Sequence, residues 1–124
     1  MSEDGNNEMR AREWLPLTPG VFHILLALAD EERHGYGIMQ EVEARTEGGV
    51  TLGPGTLYGS VKRLLAGGLI VESDDRPDPA MDDERRRYYR LTPFGRQVAQ
   101  AEAARLASLL AQAQDKRILP VDAG

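Results

Sequence analysis

Two short segments of this chain carry the residue types that bind phosphate groups and the edges of nucleic-acid bases. The first, residues 54–67, contains hydroxyls and cations without any acid: Thr56, Ser60, Lys62 and Arg63. The second, residues 85–90, contains four arginines and two tyrosines. Hydroxyls and cations contact phosphates, and an arginine can form two hydrogen bonds to guanine. Together these segments indicate a surface for a polyanion such as nucleic acid.

Residues 54–67 form an amphipathic pattern when they are placed on a helix that turns about 100° per residue. The apolar side contains Leu57, Val61, Leu64 and Leu65. The opposite side contains Thr56, Gly59 and Arg63, with Ser60 and Lys62 at the borders. Small residues on that side would let a helix approach a DNA groove closely. The alternative is an ordinary amphipathic helix with a solvated face.

The arginine-rich segment has the alternation of a β-strand. Arg86, Tyr88 and Arg90 share one face, while Tyr89 and Leu91 share the other with Arg87. If Leu91 points inward, Tyr89 packs on the core and the opposite face is basic. The alternative is that these arginines pair with the acidic residues 82–84 that precede them.

Helix start and stop signals surround both segments. Thr18-Pro19 and Thr92-Pro93 each place a capping threonine before a proline, and Gly53-Pro54 places a proline at a third start. Another helix begins at residues 34–37, with Ile38, Met39 and Val42 on one face. Gly67-Gly68 ends the helix that begins at Pro54.

The strands and loops follow from the remaining patterns. Residues 69–73 are predicted as a strand, residues 74–84 as a flexible acidic loop, and residues 50–52 as a small strand or a turn. The final helix extends to about residue 114.

These elements predict a mainly α fold with a small β-hairpin, namely a winged helix-turn-helix plus a C-terminal dimerisation helix. Residues 1–13 are predicted to be a disordered tail, since they have few apolar residues and many charges. Residues 14–92 form the winged helix-turn-helix, residues 93–115 the C-terminal helix and residues 116–124 a tail.

An apolar stripe on the last helix predicts a homodimer. Helices from residue 18 to residue 67 already enclose a core, so the stripe has no evident partner within the chain, and such surfaces usually mark interfaces. The predicted interface consists of Trp14, Leu15, Val98, Leu106, Leu109 and Leu110. Trp14 is interpreted as an anchor of the dimer or the core, in preference to a residue that stacks on a ligand.

Composition limits the remaining function classes. The net charge of -5 opposes nucleic-acid binding, but the acids lie mainly outside the two basic segments. Binding is therefore expected to need two copies and to be salt-sensitive. The chain has no cysteine and no apolar run long enough to span a bilayer, and its first residues are too acidic for a secretory signal, so the cytoplasm is the expected location and no membrane partner is expected.

Catalysis is not predicted. His23 lies in an apolar helix, and His34 stands at a helix start, where a capping or solvated role is expected. No nucleophile-base pair, metal-ligand spacing or cofactor motif is present in the sequence. The chain is therefore expected to be a binding protein and not an enzyme.

The chain resembles the PadR family of bacterial transcriptional regulators over about residues 15–112. The matching blocks are His34-Gly35-Tyr36-Gly37, Pro54-Gly55-Thr56-Leu57-Tyr58, Arg63-Leu64, Gly68-Leu69-Ile70, Arg86-Arg87-Tyr88-Tyr89-Arg90-Leu91-Thr92 and Gly95-Arg96. The Gly-Thr-Leu-Tyr block followed at this spacing by the Tyr-Tyr-x-Leu-Thr block is specific to the family. Gly53 departs from it, since a capping serine often stands there.

The resemblance implies a homodimer that binds double-stranded DNA at inverted repeats, mostly as a repressor. It also implies a small aromatic effector for some members, although the last helix here has no tryptophan to stack on one. The DNA-binding candidates are Tyr36, Thr56, Tyr58, Ser60, Lys62, Arg63, Arg86 and Arg87. Tyr58 is a candidate for the core as well. The competing hypothesis is a winged-helix module that binds another protein and no DNA.

Overall fold

The computed structural model describes residues 3–73 and 87–120, with side chains from residue 8 onward. Five helices and three strands are formed within these ranges. The helices are α1 (Glu3–Glu13), α2 (Pro19–Ala27), α3 (Gly35–Arg45), α4 (Pro54–Ala66) and α5 (Pro93–Asp115). The strands are β1 (Arg33–His34), β2 (Ile70–Ser73) and β3 (Tyr88–Leu91). The predicted fold class, mainly helical with a small β-hairpin, is confirmed.

Side-chain caps fix the starts of three helices. Thr18 accepts a hydrogen bond from the Val21 N–H at α2, and Thr92 accepts one from the Gly95 N–H at α5. His34 caps α3 through its Nδ1 atom, which lies 2.8 Å from the Gly37 nitrogen. The predicted capping role of His34 is therefore confirmed, and its imidazole has a structural function.

The core lies between α2, α3, α4, the hairpin and the first half of α5. Its largest side chains are fully buried: Ile24, Leu25, Ile38, Val42, Leu57, Leu64, Leu69, Ile70 and Val98. Burial of each such aliphatic side chain stabilises the fold by about 1.5–3 kcal/mol before the entropy cost of ordering the chain. The core therefore holds α4 rigidly along its apolar side.

The three strands form one antiparallel sheet in the order β1-β3-β2. Ile70 pairs with Leu91 and Ser73 with Tyr88 in the hairpin, while Arg33 pairs with Tyr89 on the other edge. Sequence reasoning missed β1, because two polar residues show no alternation. Residues 50–52 form no strand, so the strand alternative is wrong there, and Leu52 packs into the core.

The prediction of a disordered tail over residues 1–13 is wrong for residues 3–13, which form α1. Ala11 is buried, and the Arg10 guanidinium lies 5.1 Å from the centre of the Phe94 ring on α5. The sequence did not indicate this helix, because its residues form no apolar stripe. The helix contacts the rest of the chain through one small apolar residue, Ala11, and the cation–π contact of Arg10. Within the described ranges, none of the helices is long and apolar enough to cross a membrane.

Candidate nucleic-acid interface

Helix α4 presents the surface that its sequence predicts. Leu57, Val61 and Leu64 are buried against the core, while Leu65 is half-buried. The opposite side is exposed and includes Thr56, Gly59, Lys62 and Arg63, with Ser60 half-buried at its border. Beside Gly55 and Gly59, a methyl group would meet no neighbouring atom within 4 Å. This side of α4 is thus an open, narrow surface with two cations at its C-terminal end.

The two ends of α4 are capped in different ways. Gly53 is the N-cap residue and provides no side-chain cap, as the departure from the family pattern predicts. At the other end, Gly68 has a φ angle of 79°, and the Leu69 N–H donates to the Leu64 carbonyl at 2.9 Å. This left-handed turn ends the helix and directs the chain into β2.

Helix α3 crosses α4 at a close contact between Gly35 and Tyr58. Gly35 is buried, and a side chain there would collide with the Tyr58 phenol. Tyr58 is half-buried beside the core, so its predicted core role is confirmed for the ring. The next residue after Gly35, Tyr36, is 57% exposed and its ring stacks on His34. Tyr36 is therefore held at the surface at the start of α3.

The hairpin places an aromatic residue in the core and a basic residue at the surface. Tyr89 is buried in the core, as predicted, and Leu91 packs against it. Arg87 is exposed and its guanidinium lies 3.1 Å from the Glu72 carboxylate on β2. Arg86 and the acidic residues 82–84 lie outside the described residues. Arg87 thus pairs with a residue of the neighbouring strand that the sequence analysis did not name, and the predicted pairing with residues 82–84 stays a prediction.

Trp14 packs on the last turn of α4. Its indole occupies the space beside Gly67, where a side chain would collide with the ring, and the Arg63 guanidinium lies 5.9 Å from the ring centre. The sequence predicted an anchoring role for Trp14 but gave no signal for this partner, since the two residues lie in separate elements far apart in the chain. The single indole of the chain therefore borders the exposed side of α4.

The residues predicted at a dimer interface divide into three groups by their exposure. Val98 is fully buried within the chain, so its assignment to the interface is wrong: it faces α2 and the core, because the first half of α5 already has intrachain partners. Leu106, Leu109 and Leu110 are 39%, 48% and 47% exposed on the second half. Trp14 and Leu15 are half-buried against the core. The exposed stripe is therefore shorter than predicted.

Glu102 is a buried carboxylate that sequence reasoning did not single out. Both of its oxygens accept hydrogen bonds from Arg105, at 2.7 and 2.8 Å. These hydrogen bonds lower the pKa of Glu102. Burial opposes this shift, while the charge of Arg105 and a backbone hydrogen bond from Leu17 add to it. The ion pair lies within α5, and the backbone hydrogen bond from Leu17 to Glu102 joins α5 to the segment before α2. A buried glutamate on an alanine-rich helix gives no such signal in the sequence.

His23, one of the two histidines of the chain, lies beside Arg45 of α3. The pKa of His23 is lowered by burial and by the nearby charge of Arg45, whose guanidinium lies 3.2 Å from the His23 Nδ1 atom. In the part of the chain that the structure describes, no group of His, Cys, Asp or Glu is arranged to hold a metal ion.

A three-helix core, a hairpin with a third strand at its edge and an open helix face define a winged helix-turn-helix protein.

The chain belongs to the PadR-like family of transcriptional regulators, whose sequence model matches residues 24–101. It is 45% identical to the transcriptional regulator Rv3488 of Mycobacterium tuberculosis over 74 residues, or 60% of this chain and 63% of that protein. It is 40% identical to an uncharacterised 37.1 kDa protein of transposon Tn4556 from Streptomyces fradiae over 86 residues, or 69% of this chain and 22% of that protein. The chain thus spans less than two thirds of either relative.

The fold is shared with solved structures. A PadR-like transcription factor from Bacteroides fragilis superposes with a TM-score of 0.64 at 20% identity, covering 91% of this chain and 98% of that one. The prediction of a family of regulators, and not of enzymes, is confirmed by these comparisons.

Proposed function

We propose that this transcriptional regulator is a homodimeric repressor that binds inverted-repeat DNA through α4 and its hairpin. The observation that carries the proposal is the two-sided structure of α4, whose apolar side is buried while its opposite side is exposed, narrow and free of acids. A helix of this kind enters the major groove of DNA, which is about 12 Å wide.

Contacts within the site divide by chemistry. Arg63 has the donor geometry for a guanine edge, while Thr56, Ser60 and Lys62 suit phosphates. Tyr36, exposed at the start of α3, extends the same set, whereas the Tyr58 hydroxyl is buried against Gly35 and is proposed from the family resemblance alone. Arg87 adds a cation at the hairpin, although Glu72 neutralises it in part; Arg86 is proposed from the family resemblance alone.

Dimerisation supports this function through geometry and charge. Leu106, Leu109 and Leu110 leave an apolar surface on α5 that a second copy would cover. A twofold axis would place two α4 helices about one DNA turn, roughly 34 Å, or a multiple of it, apart. Two copies also double the cationic contacts to DNA, while α4 itself carries none of the acids that give each chain its net charge of -5. A small aromatic ligand near the dimer centre is the proposed effector that would release the DNA.

Fluorescence anisotropy with a labelled inverted repeat, taken from the DNA upstream of the protein's own or a neighbouring gene, tests the proposal. We expect tighter binding to this repeat than to a duplex of scrambled sequence. Arg63→Ala should reduce that preference, because a bidentate contact to a base contributes about 1–3 kcal/mol of discrimination. Lys62→Ala should weaken binding to both duplexes, and the slope of log affinity against log salt should become shallower by about one, because one phosphate is no longer neutralised.

The chain offers a matched control in its other lysine. Lys116→Ala removes the same charge at the far end of α5, where it is exposed and distant in sequence from α4, and should leave affinity nearly unchanged. Equal affinity of the wild type for both duplexes would contradict the proposal. Absence of DNA binding at low salt, with a protein partner recovered instead, would favour the protein-binding alternative.

A further inference from the structure

We propose that Trp14 is a positioning residue that holds the Arg63 guanidinium for DNA recognition. This inference rests on the proposed DNA-binding function and adds to it a residue that precedes the helices α2, α3 and α4. Trp14 follows α1 directly, and α1 packs along α5. The indole therefore reaches α4 from a segment that precedes α2.

The geometry combines two independent contacts on one side of α4. Arg63 and Gly67 are four residues apart, so they lie one above the other on the helix. The Trp14 ring fills the space next to Gly67, and the Arg63 guanidinium carbon lies 5.9 Å from the ring centre. Gly67 is thus the position that admits the ring, and Arg63 is the cation that the ring attracts.

The chemistry of this contact leaves Arg63 able to bind DNA. A cation above an indole face is attracted by the negative face of the ring, and this attraction uses none of the guanidinium N–H donors. Those donors lie in the guanidinium plane and remain available for a phosphate or a guanine. Because the ring already restricts the Arg63 side chain, less side-chain entropy is lost when Arg63 binds DNA. Lys62, the neighbouring cation, has no such ring contact among the described residues.

A double-mutant cycle on the full chain tests the proposal. Trp14→Leu keeps an apolar side chain but removes the aromatic face, and should weaken binding to the inverted repeat about two- to fivefold. In an Arg63→Ala background the same change should have little effect, because its partner is gone. Trp14→Phe should restore part of the affinity. The matched cycle with Lys62→Ala should be additive.

A second measurement uses the intrinsic fluorescence of the only tryptophan. Arg63→Ala should change the emission of Trp14, whereas Lys62→Ala should not. Thermal unfolding of each variant verifies that it folds; if Trp14→Leu does not, the cycle is measured with Trp14→Phe.

Additive effects of the Trp14 and Arg63 variants, or tighter binding by Trp14→Leu, would overturn the proposal while leaving DNA binding intact. Failure of the wild type to prefer the inverted repeat would overturn the proposed function as well. These two results are distinguished by the wild-type titration alone.

Discussion

At the scale of single residues, close packing of the elements depends on positions without a side chain. Gly95, at the start of α5, lies against the carbonyl group of Leu69 so closely that a side chain would overlap it. The same carbonyl accepts hydrogen bonds at 3.0 Å from the backbone and the hydroxyl of Thr92. The junction between β2 and α5 is thus fixed by backbone contact.

We predict that Gly95→Ala lowers the free energy of unfolding by about 1–3 kcal/mol, because the backbone must shift to admit the methyl group. Urea unfolding followed by circular dichroism measures this change. Gly59→Ala is the control, since Gly59 lies in a helix with open space around it and should gain about 0.5–1 kcal/mol. An unchanged midpoint for Gly95→Ala would contradict the prediction, because the junction would then accommodate a methyl group without strain.

At the scale of elements, α5 is joined to the rest of the chain by polar as well as apolar contacts. Arg96 donates to the Ala29 carbonyl at 2.7 Å, and Glu102 accepts two bonds from Arg105 while it faces the backbone of Leu17. A buried carboxylate is retained only where such partners satisfy it. The first half of α5 therefore belongs to the folded domain of this chain.

We predict that Glu102 makes stability depend on pH at acidic values. Its pKa is lowered in the folded chain, so the unfolded chain binds more protons as the pH falls. The contribution is fully present above the ordinary glutamate pKa, about 4.3, and is lost as the pH falls through the lower folded value. Glu102→Gln should lower stability at neutral pH and flatten the acidic limb of the curve.

Thermal unfolding between pH 3 and pH 7 measures both effects. Glu43→Gln, the same change at an exposed position on α3, is the control and should leave the curve unchanged. His23 also has a lowered pKa, so stability also falls as the pH drops below the ordinary histidine pKa of about 6.5; this effect is common to the wild type and both variants and cancels in the comparison. Parallel curves for wild type and Glu102→Gln below pH ~4.3 would contradict the prediction.

At the scale of the whole molecule, the second half of α5 is the surface that a single chain leaves uncovered. Leu106, Leu109 and Leu110 share one side of the helix and are each more than a third exposed. The proposed dimer would bury this side. The first half of α5 thus packs within the chain, and the second half is the part that the proposed dimer would use.

We predict that Leu109→Glu converts the dimer to a monomer, because a charge would be buried at the centre of the contact. Size-exclusion chromatography with light scattering at micromolar concentration measures the mass. Affinity for the inverted repeat should fall more than tenfold, since the two half-sites would no longer be bound as one unit. Ala111→Glu places the same charge on another exposed side of α5 and should keep the dimer. A monomeric wild type would contradict the proposed assembly.

Local sequence signals determined most of the fold and the exposed side of α4. Caps, prolines and glycines fix the starts of α2, α3, α4 and α5 because they act within a few residues, and the 3.6-residue period separates Leu57 from Arg63. The sequence therefore predicted both the winged helix-turn-helix and its candidate DNA surface.

Only the tertiary structure decided which distant residues support that surface. The Trp14 ring lies beside the Arg63 guanidinium, Arg87 pairs with Glu72 on the neighbouring strand, and Val98 lies in the core and not at an interface. The order of α1 and the pairing of β1 also depend on elements far away in the chain. These features arise from contacts that form only when the elements pack, and local periodicity carries no information about them.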